Sequence, residues 1–170
     1  AGLLQKGAAY HVGDDIYFDT NTFVSYGQLA KKPIDEQEAG ARVAVAEAKK
    51  SPADFVLWKG NAQQLFWQAP WGYGRPGWHI ECSAFVREYI GDTVDIHGGG
   101  IDLIFPHHEN ERAQSEMLTG KPFATCWMHN AHVTLHAEKM SKSTGNFYTL
   151  RDLFTRFEPM AVRFYLLQHH

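Results

Sequence analysis

The order of elements between residues 93 and 129 constrains the fold more than any other feature of the chain. A short strand is predicted over residues 93–97, and three glycines follow it at once. A helix is predicted from Pro106 to about Leu118, ended by Gly120, before a second strand over residues 125–129. This succession is typical of an α/β fold with a parallel sheet. The number of predicted strands fits one half of a doubly wound sheet.

The segment before residue 76 predicts a smaller, β-rich region. Residues 10–27 alternate as three short strands, with Gly13-Asp14-Asp15 as the first turn, which indicates an antiparallel hairpin or meander. Ser51-Pro52 is typical of a helix start and predicts a helix through residues 55–58. Residues 59–77 contain glycine and proline and are predicted to form a loop.

Further helices are predicted on both sides of the central unit. Residues 76–90 place Trp78 and Cys82 on one helix face. Thr149 is a candidate cap for a helix that reaches Phe157, and Pro159 begins another that ends at Gln168.

Composition excludes several classes of protein. The 170 residues are 44% hydrophobic and 21% charged, as expected for a globular domain or part of a larger protein. A formal net charge of −3 at pH 7 excludes a polybasic nucleic-acid clamp. No apolar run approaches the ~20 residues of a membrane helix. The two cysteines, Cys82 and Cys126, are too few for a disulfide framework, which favours a reducing compartment.

One candidate site combines Cys82 with the histidine-rich helix start near residue 107. His107 and Glu111 are four residues apart and share a helix face, so their side chains can converge on one ion. A thiolate, an imidazole and a carboxylate form a plausible zinc set that lacks one position. The alternative is that His107 and His108 cap the helix while Glu111 pairs with Arg112 or solvent. The spacing alone favours this alternative, because such pairs are common on helix surfaces.

The glycine run is a second candidate site. Gly98, Gly99 and Gly100 follow a strand and would let a ligand approach the backbone closely. The alternative is a flexible turn, which general loop statistics favour. Asp102 either meets a cationic group or caps a turn.

A third candidate is the loop Lys139-Met140-Ser141-Lys142-Ser143. Such a loop can fold over phosphates, with Lys142 as a point charge and the serine hydroxyls as donors. Composition alone favours a solvated charged loop instead. The exact five-residue motif, however, is much less expected by chance than its composition.

These segments resemble a known family. The loop at 139–143 looks like the second signature of class I aminoacyl-tRNA synthetases. Residues 76–84 and 97–111 are similar to the cysteinyl-tRNA synthetase family, and so are residues 39–43 and 54–59. The resemblance covers nearly the whole chain. It implies the second half of a class I Rossmann catalytic domain, with a small β-rich connective insertion and the start of a helical stem-contact fold.

The resemblance also implies domain boundaries. Residues 1–59 would form part of the connective insertion, residues 60–137 the second Rossmann half, and residues 138–170 the signature loop and first stem-contact helices. The first half of the catalytic domain, with the family's first ATP-binding signature and a fourth, cysteine ligand, would then lie outside this sequence. The chain is therefore expected to be a fragment.

The implied reaction is the ATP-dependent activation of L-cysteine and its transfer to tRNA(Cys), with Mg²⁺ accompanying ATP. One zinc per chain, held by Cys82, His107 and Glu111, would select the substrate thiol. Lys142, and less so Lys139, would neutralise the leaving phosphates. The resemblance also implies a cytoplasmic, monomeric protein without membrane association. The remaining implied binding residues are Gly98, Gly99, Gly100, Met140, Ser141 and Ser143 for the nucleotide, and Trp78, His97 and Asp102 for cysteine.

Two other functions stay open at this point. One is a cysteine-activating ligase that acts on an amino-sugar, as mycothiol ligases do; residues 109–111 and 146–147 favour the synthetase. The other is a non-catalytic piece that binds zinc or a partner. A zinc hydrolase is less favoured, because Glu109 lacks the His-Glu-x-x-His register.

Overall fold

The computed structural model describes residues 1–31, 49–60, 67–135, 138–143 and 145–168. They belong to two structural units, residues 1–129 and residues 130–170, each of which is described by itself. The predicted polar loop over 31–40 and the family-like segment at 39–43 lie almost entirely outside the described residues. No helix in the described part of the chain is long and apolar enough to cross a membrane.

An antiparallel sheet of five strands forms one side of the first unit. Its spatial order is β1-β2-β3-β5-β4. The predicted hairpin between the first two strands is confirmed, with Gly13 in the left-handed conformation at the turn (φ 58°). The strands are β1 (Ala9–Val12), β2 (Asp15–Phe18), β3 (Phe55–Gly60), β4 (Trp67–Ala69) and β5 (Gly72–Pro76).

Three predictions for this region are wrong. The expected helix over 55–58 is strand β3, because Phe55 and Leu57 alternate into the core and the strand pairs with β2 and β5. The expected loop over 59–77 contains the β4–β5 hairpin. The expected third strand near Phe23 is replaced by a 3₁₀ turn, Thr20–Thr22, and further turns, in which Val24 is fully exposed.

The core of the first unit lies between this sheet and two helices, α1 (Gly2–Gln5) and α3 (Glu109–Thr119). Phe18 from β2 stacks on Phe55 from β3, with ring centroids 4.9 Å apart. Other core members are Leu3, Ala8, Ala9, Ile16, Tyr26, Leu57 and Ala113. Because Tyr26 and Ala113 belong to this cluster, the core joins the turn region after β2 to the middle of α3.

The predicted α/β unit is confirmed. After α2 (Trp78–Tyr89) come β6 (Val94–Gly100), two short turns of 3₁₀ and π helix (Ile101–Leu103 and Ile104–His108), α3 and β7 (Ala124–Asn130). The Val94 amide donates to the Phe123 carbonyl, and further along both strands Gly98 lies against Met128. The two strands therefore run in the same direction. Gly120 ends α3 in the left-handed conformation (φ 73°), as predicted.

The second unit begins at Asn130, the last residue of β7. Strands β8 (Thr134–Leu135) and β9 (Glu138–Lys139) form an antiparallel pair. Thr149 caps α4 (Leu150–Phe154) through a reciprocal capping box with Asp152, and α4 ends three residues before the predicted end at Phe157. Helix α5 (Pro159–Gln168) has the predicted bounds.

A buried carboxylate ties the ends of the sheet region together. Asp54 is 2% exposed. Its two oxygens accept hydrogen bonds from the Thr20 amide and hydroxyl (2.9 and 2.8 Å), the Ser51 amide (3.0 Å) and the Tyr10 hydroxyl (2.6 Å). The Ser51-Pro52 segment is therefore a turn organised by Asp54 rather than a helix start.

Replacing Asp54 with alanine should strongly destabilise the fold. Four donors would lose their acceptor in a buried site, so we expect the free energy of unfolding to fall by about 3 kcal/mol. Urea unfolding followed by tryptophan fluorescence measures this loss. The exposed Asp95→Ala variant serves as the control and should change stability by less than about 0.5 kcal/mol. Equal stability of the two variants would contradict this role of Asp54.

Candidate metal centre

Three side chains from three different elements converge in the first unit. Cys82 comes from α2, His107 from the π turn and Glu111 from the first turn of α3. The Cys82 Sγ lies 3.7 Å from the His107 Nε2, which in turn lies 2.6 Å from the Glu111 Oε1. The three donor atoms all lie within 4.8 Å of one another. The structure therefore brings together the three residues predicted as metal ligands.

The Glu111 carboxylate is the most buried group of this cluster, with no exposed surface. Its other oxygen, Oε2, lies 2.7 Å from the His97 Nε2. Burial would raise the pKa of Glu111, but the adjacent imidazoles of His107 and His97 outweigh burial and lower the pKa to about 2. The distances are those of ion pairs, yet neither oxygen has a hydrogen-bond donor in good alignment. The carboxylate is thus charged, buried and incompletely satisfied.

His107 is held in place from two sides. Its Nδ1 lies 2.9 Å from the Nδ1 of His79, and this contact leaves Nε2 directed to Cys82 and Glu111. The Trp78 indole stacks on the His107 ring, with centroids 4.3 Å apart and planes inclined by 20°. This pairing fixes the ring orientation and the nitrogen that faces the cluster.

A second set of possible ligands shares Glu111. His97 and His108 have ring nitrogens that lie, with a Glu111 oxygen, within 4.8 Å of one another. His108 Nδ1 lies 2.8 Å from the Nε2 of His129 on β7. Sequence reasoning missed the contacts of His79 and His108 and interpreted His129 as mainly structural. One sequence signal could have indicated that these histidines lie close together. His97 and His129 each stand near the end of a predicted strand, and the two strands are neighbours.

The cluster fits a zinc ion. Tetrahedral zinc with bonds of 2.0–2.3 Å places its ligand atoms roughly 3.3–3.8 Å apart. The Cys82–His107 separation of 3.7 Å lies in this interval, and the His107–Glu111 pair would open by under ~1 Å. The buried Glu111 oxygens lack a well-aligned hydrogen-bond donor, which is an independent observation compatible with a bound cation. Burial raises the pKa of the Cys82 thiol to about 11, so a bound cation would have to displace its proton.

The glycine run lies within β6, not after it as predicted. A Cβ on Gly99 would come within 2.9 Å of the His108 ring, and one on Gly100 within 2.5 Å of the Asp102 carboxylate. Packing against the buried His108 ring therefore already favours glycine at position 99, whereas at position 100 the exposed Asp102 side chain could move aside. Asp102 is exposed in the 3₁₀ turn that follows.

The candidate phosphate loop belongs to the second unit. The Ser141 amide donates to the Asn146 Oδ1 (2.9 Å), and the hydroxyls of Ser141 and Ser143 lie 3.1 Å apart. The Lys142 ammonium lies over the Phe147 ring, 5.5 Å from its centroid. The Met140 amide donates to the Val133 carbonyl (3.0 Å), which anchors the loop base. The side chain of Lys139 lies outside the described atoms.

The fold and the cluster together define an α/β domain with a candidate metal site formed by a cysteine, a histidine and a glutamate. Residues 1–170 match the family described as the catalytic domain of class I (C) tRNA synthetases. The chain belongs to this family, as the resemblance implied.

Named relatives agree with this assignment. The chain is 53% identical over 169 residues to a cysteine–tRNA ligase of Anoxybacillus flavithermus, and 54% identical over 169 residues to one of Bacillus cereus. It is 55% identical over 170 residues to one of Carboxydothermus hydrogenoformans. These alignments cover 99% of this chain but only 36–37% of each relative. The chain thus spans little more than a third of the length of these relatives.

The stability of the metal-free chain should fall in mildly acidic solution. Burial lowers the pKa of His79 and His108 from 6.5 to about 4. The unfolded chain therefore binds more protons than the folded chain as the pH falls from 6.5 towards 4, and unfolding becomes easier. Glu111, with its pKa lowered from 4.5, adds a loss only below pH 4.5.

Urea unfolding in EDTA across this pH interval measures the slope. The His79→Gln variant should show a smaller loss, because one buried imidazole is removed. The matched variant His11→Gln changes an exposed histidine and should keep the full slope. A slope in His79→Gln as steep as that of the unaltered chain would contradict the burial argument.

Proposed function

We propose that the chain carries the thiol-selecting part of a cysteine–tRNA ligase, with L-cysteine, ATP and tRNA(Cys) as substrates. The observation that carries the proposal is the convergence of the Cys82, His107 and Glu111 donor atoms within 4.8 Å. The identity of 53–55% to relatives named as cysteine–tRNA ligases supports tRNA rather than an amino-sugar as the acceptor. The proposed Rossmann half and connective insertion follow the boundaries given by the family resemblance.

Selection of cysteine is the chemical problem that the metal centre would solve. Serine differs from cysteine by one atom, and an apolar pocket separates such close analogues poorly. A zinc ion held by Cys82, His107 and Glu111 would supply a soft Lewis acid that prefers a thiolate to a hydroxyl and lowers the thiol pKa. The His79–His107 contact and the Trp78–His107 stack would hold the imidazole ligand in orientation. Trp78 also provides an apolar wall beside the site.

The remaining residues would position the reacting groups. Asp102, exposed after β6, would accept the substrate ammonium group, with the glycine backbone of β6 against the nucleoside. The cysteine carboxylate attacks the α-phosphorus of ATP, forming cysteinyl adenylate as the bond to pyrophosphate breaks. Lys142, Lys139 and the serines of the loop would stabilise charge on the departing pyrophosphate, with Mg²⁺ bound to the phosphates. The terminal tRNA hydroxyl then attacks the acyl carbon, and AMP leaves.

The proposal extends to assembly and compartment. The reaction needs one active site per chain, and we propose a monomer. A thiol ligand at Cys82 requires a reduced cysteine, which supports a cytoplasmic location.

Changing the metal ligands should abolish cysteine activation. In a full-length protein that carries this segment, Cys82→Ala and Glu111→Gln should lose zinc, measured by metal analysis. They should also lose cysteine-dependent ATP–pyrophosphate exchange. The unaltered protein should activate serine at least about 100-fold less efficiently than cysteine. Efficient serine activation, or full cysteine activation by zinc-free Cys82→Ala, would contradict metal-based selection.

Changing Lys142 should instead slow the chemical step. Removing one charge-stabilising group is expected to lower the exchange rate about 100- to 1000-fold, while zinc content stays at one per chain. Lys142→Arg should retain part of the activity, since the charge remains. The exposed Arg151→Ala variant, on α4, is the matched cation control and should keep full exchange. A Lys142→Ala protein as active as this control would refute the assignment.

A further inference from the structure

The first turn of α3 carries Glu111 of the candidate metal centre, and it also contacts a segment that is distant in sequence. Residues 23–31, here called the clamp segment, pass beside this turn. The Tyr26 hydroxyl donates to the Asn110 Oδ1, and the Ala30 amide donates to the Glu109 Oε2 (2.9 Å). Arg112 donates to both the carbonyl and the hydroxyl of Ser25 (3.1 and 2.8 Å). Three residues of the first turn of α3, on both sides of Glu111 in the sequence, thus hold this segment.

The clamp contacts and the metal ligands occupy different faces of one helical turn. At 100° per residue, Glu109 lies about 200° from Glu111 around the helix axis, and Asn110 and Arg112 about 100° to either side. His107, four residues before Glu111, lies within about 40° of it. One side of the turn therefore contacts the clamp segment, and the other side carries the candidate metal ligands.

The clamp adds buried charge to the apolar packing of Tyr26 and Phe23. Glu109 has no exposed surface, and its Oε1 pairs with the Arg112 guanidinium at 3.2 Å. Arg112 also lies over the Phe23 ring, 5.2 Å from the centroid. Burying a charged pair contributes little net stability, but its directional bonds define one arrangement of the groups that share it. These directional contacts are therefore suited to fixing the orientation of the helical turn.

We propose that the clamp segment sets the rotation of the first turn of α3 and thereby positions His107 and Glu111 for the metal. Tyr26, Glu109, Asn110 and Arg112 are positioning residues in this arrangement. The inference rests on the metal role proposed above and extends it to the turn region after β2.

A small rotation is enough to matter. Side chains reach roughly 5–6 Å from a helix axis, so a turn of about 10° moves the Glu111 carboxylate by about 1 Å. Metal and catalytic sites tolerate displacements of about 0.5 Å. Losing a clamp contact would therefore weaken metal binding even where the fold persists.

Cobalt(II) binding to the chain tests this proposal, because Co²⁺ substitutes for zinc and reports its ligands through d–d and thiolate charge-transfer absorption. Tyr26→Phe removes only the hydroxyl that bonds Asn110. Tyr10→Phe is the matched control, since it removes a hydroxyl that bonds buried Asp54 at 2.6 Å. Arg112→Lys keeps the charge but cannot reproduce both bonds to Ser25.

We expect Tyr26→Phe and Arg112→Lys to bind Co²⁺ about 10-fold more weakly, the lower end for groups outside the ligand shell, with shifted d–d bands. Tyr10→Phe should retain the affinity and spectrum of the unaltered chain, although its unfolding midpoint falls. Unchanged affinity and bands in both clamp variants would overturn the proposal while leaving the metal assignment intact. Absence of a thiolate–cobalt band in the unaltered chain would overturn both.

Discussion

The buried Glu111 carboxylate is the constraint around which the first unit is arranged. It has no exposed surface, and each of its oxygens lies 2.6–2.7 Å from an imidazole nitrogen. Burying a charge costs free energy unless a group of opposite charge or a hydrogen-bond donor lies beside it. His107 comes from the turn before α3 and His97 from β6, so satisfying one carboxylate brings together two elements and the start of a helix. The metal proposed there would give the carboxylate an aligned partner, which the protein groups do not supply.

Local patterns in the sequence predicted the part of the site that is local in the chain. His107 and Glu111 share a helix face because they are four residues apart, and Gly120 ends α3 for a reason visible in one residue. The Ser51-Pro52 pair predicted a helix where strand β3 lies, and the pairing that makes this segment a strand is with β2 and β5, which are distant in sequence. The contacts of His79 and His97 were invisible for the same reason: spacing does not report which strand and helix meet.

The glycine run shows how one residue type satisfies two demands. The sequence suggested a loop that lets a nucleotide approach the backbone. The structure places the run inside β6, where Gly99 makes room for the His108 ring. His108 in turn contacts His129, so the glycine at position 99 leaves space for the histidines that lie near Glu111. Packing alone therefore explains this glycine. A nucleoside on the open side of the strand would also benefit from the lack of a side chain there.

The two proposed chemical tasks require different physical settings. Distinguishing sulfur from oxygen depends on ligands that keep their positions, and Glu111 and His107 are buried among directional contacts. Stabilising a departing pyrophosphate depends on a cation that can follow the substrate. Ser143 is exposed, and the Ser141–Asn146 bond and the Lys142–Phe147 contact are local to the loop. Because a lysine on a flexible stem loses little by leaving an aromatic face for a phosphate, this loop can change partners, whereas the ligands around Glu111 cannot move without breaking buried bonds.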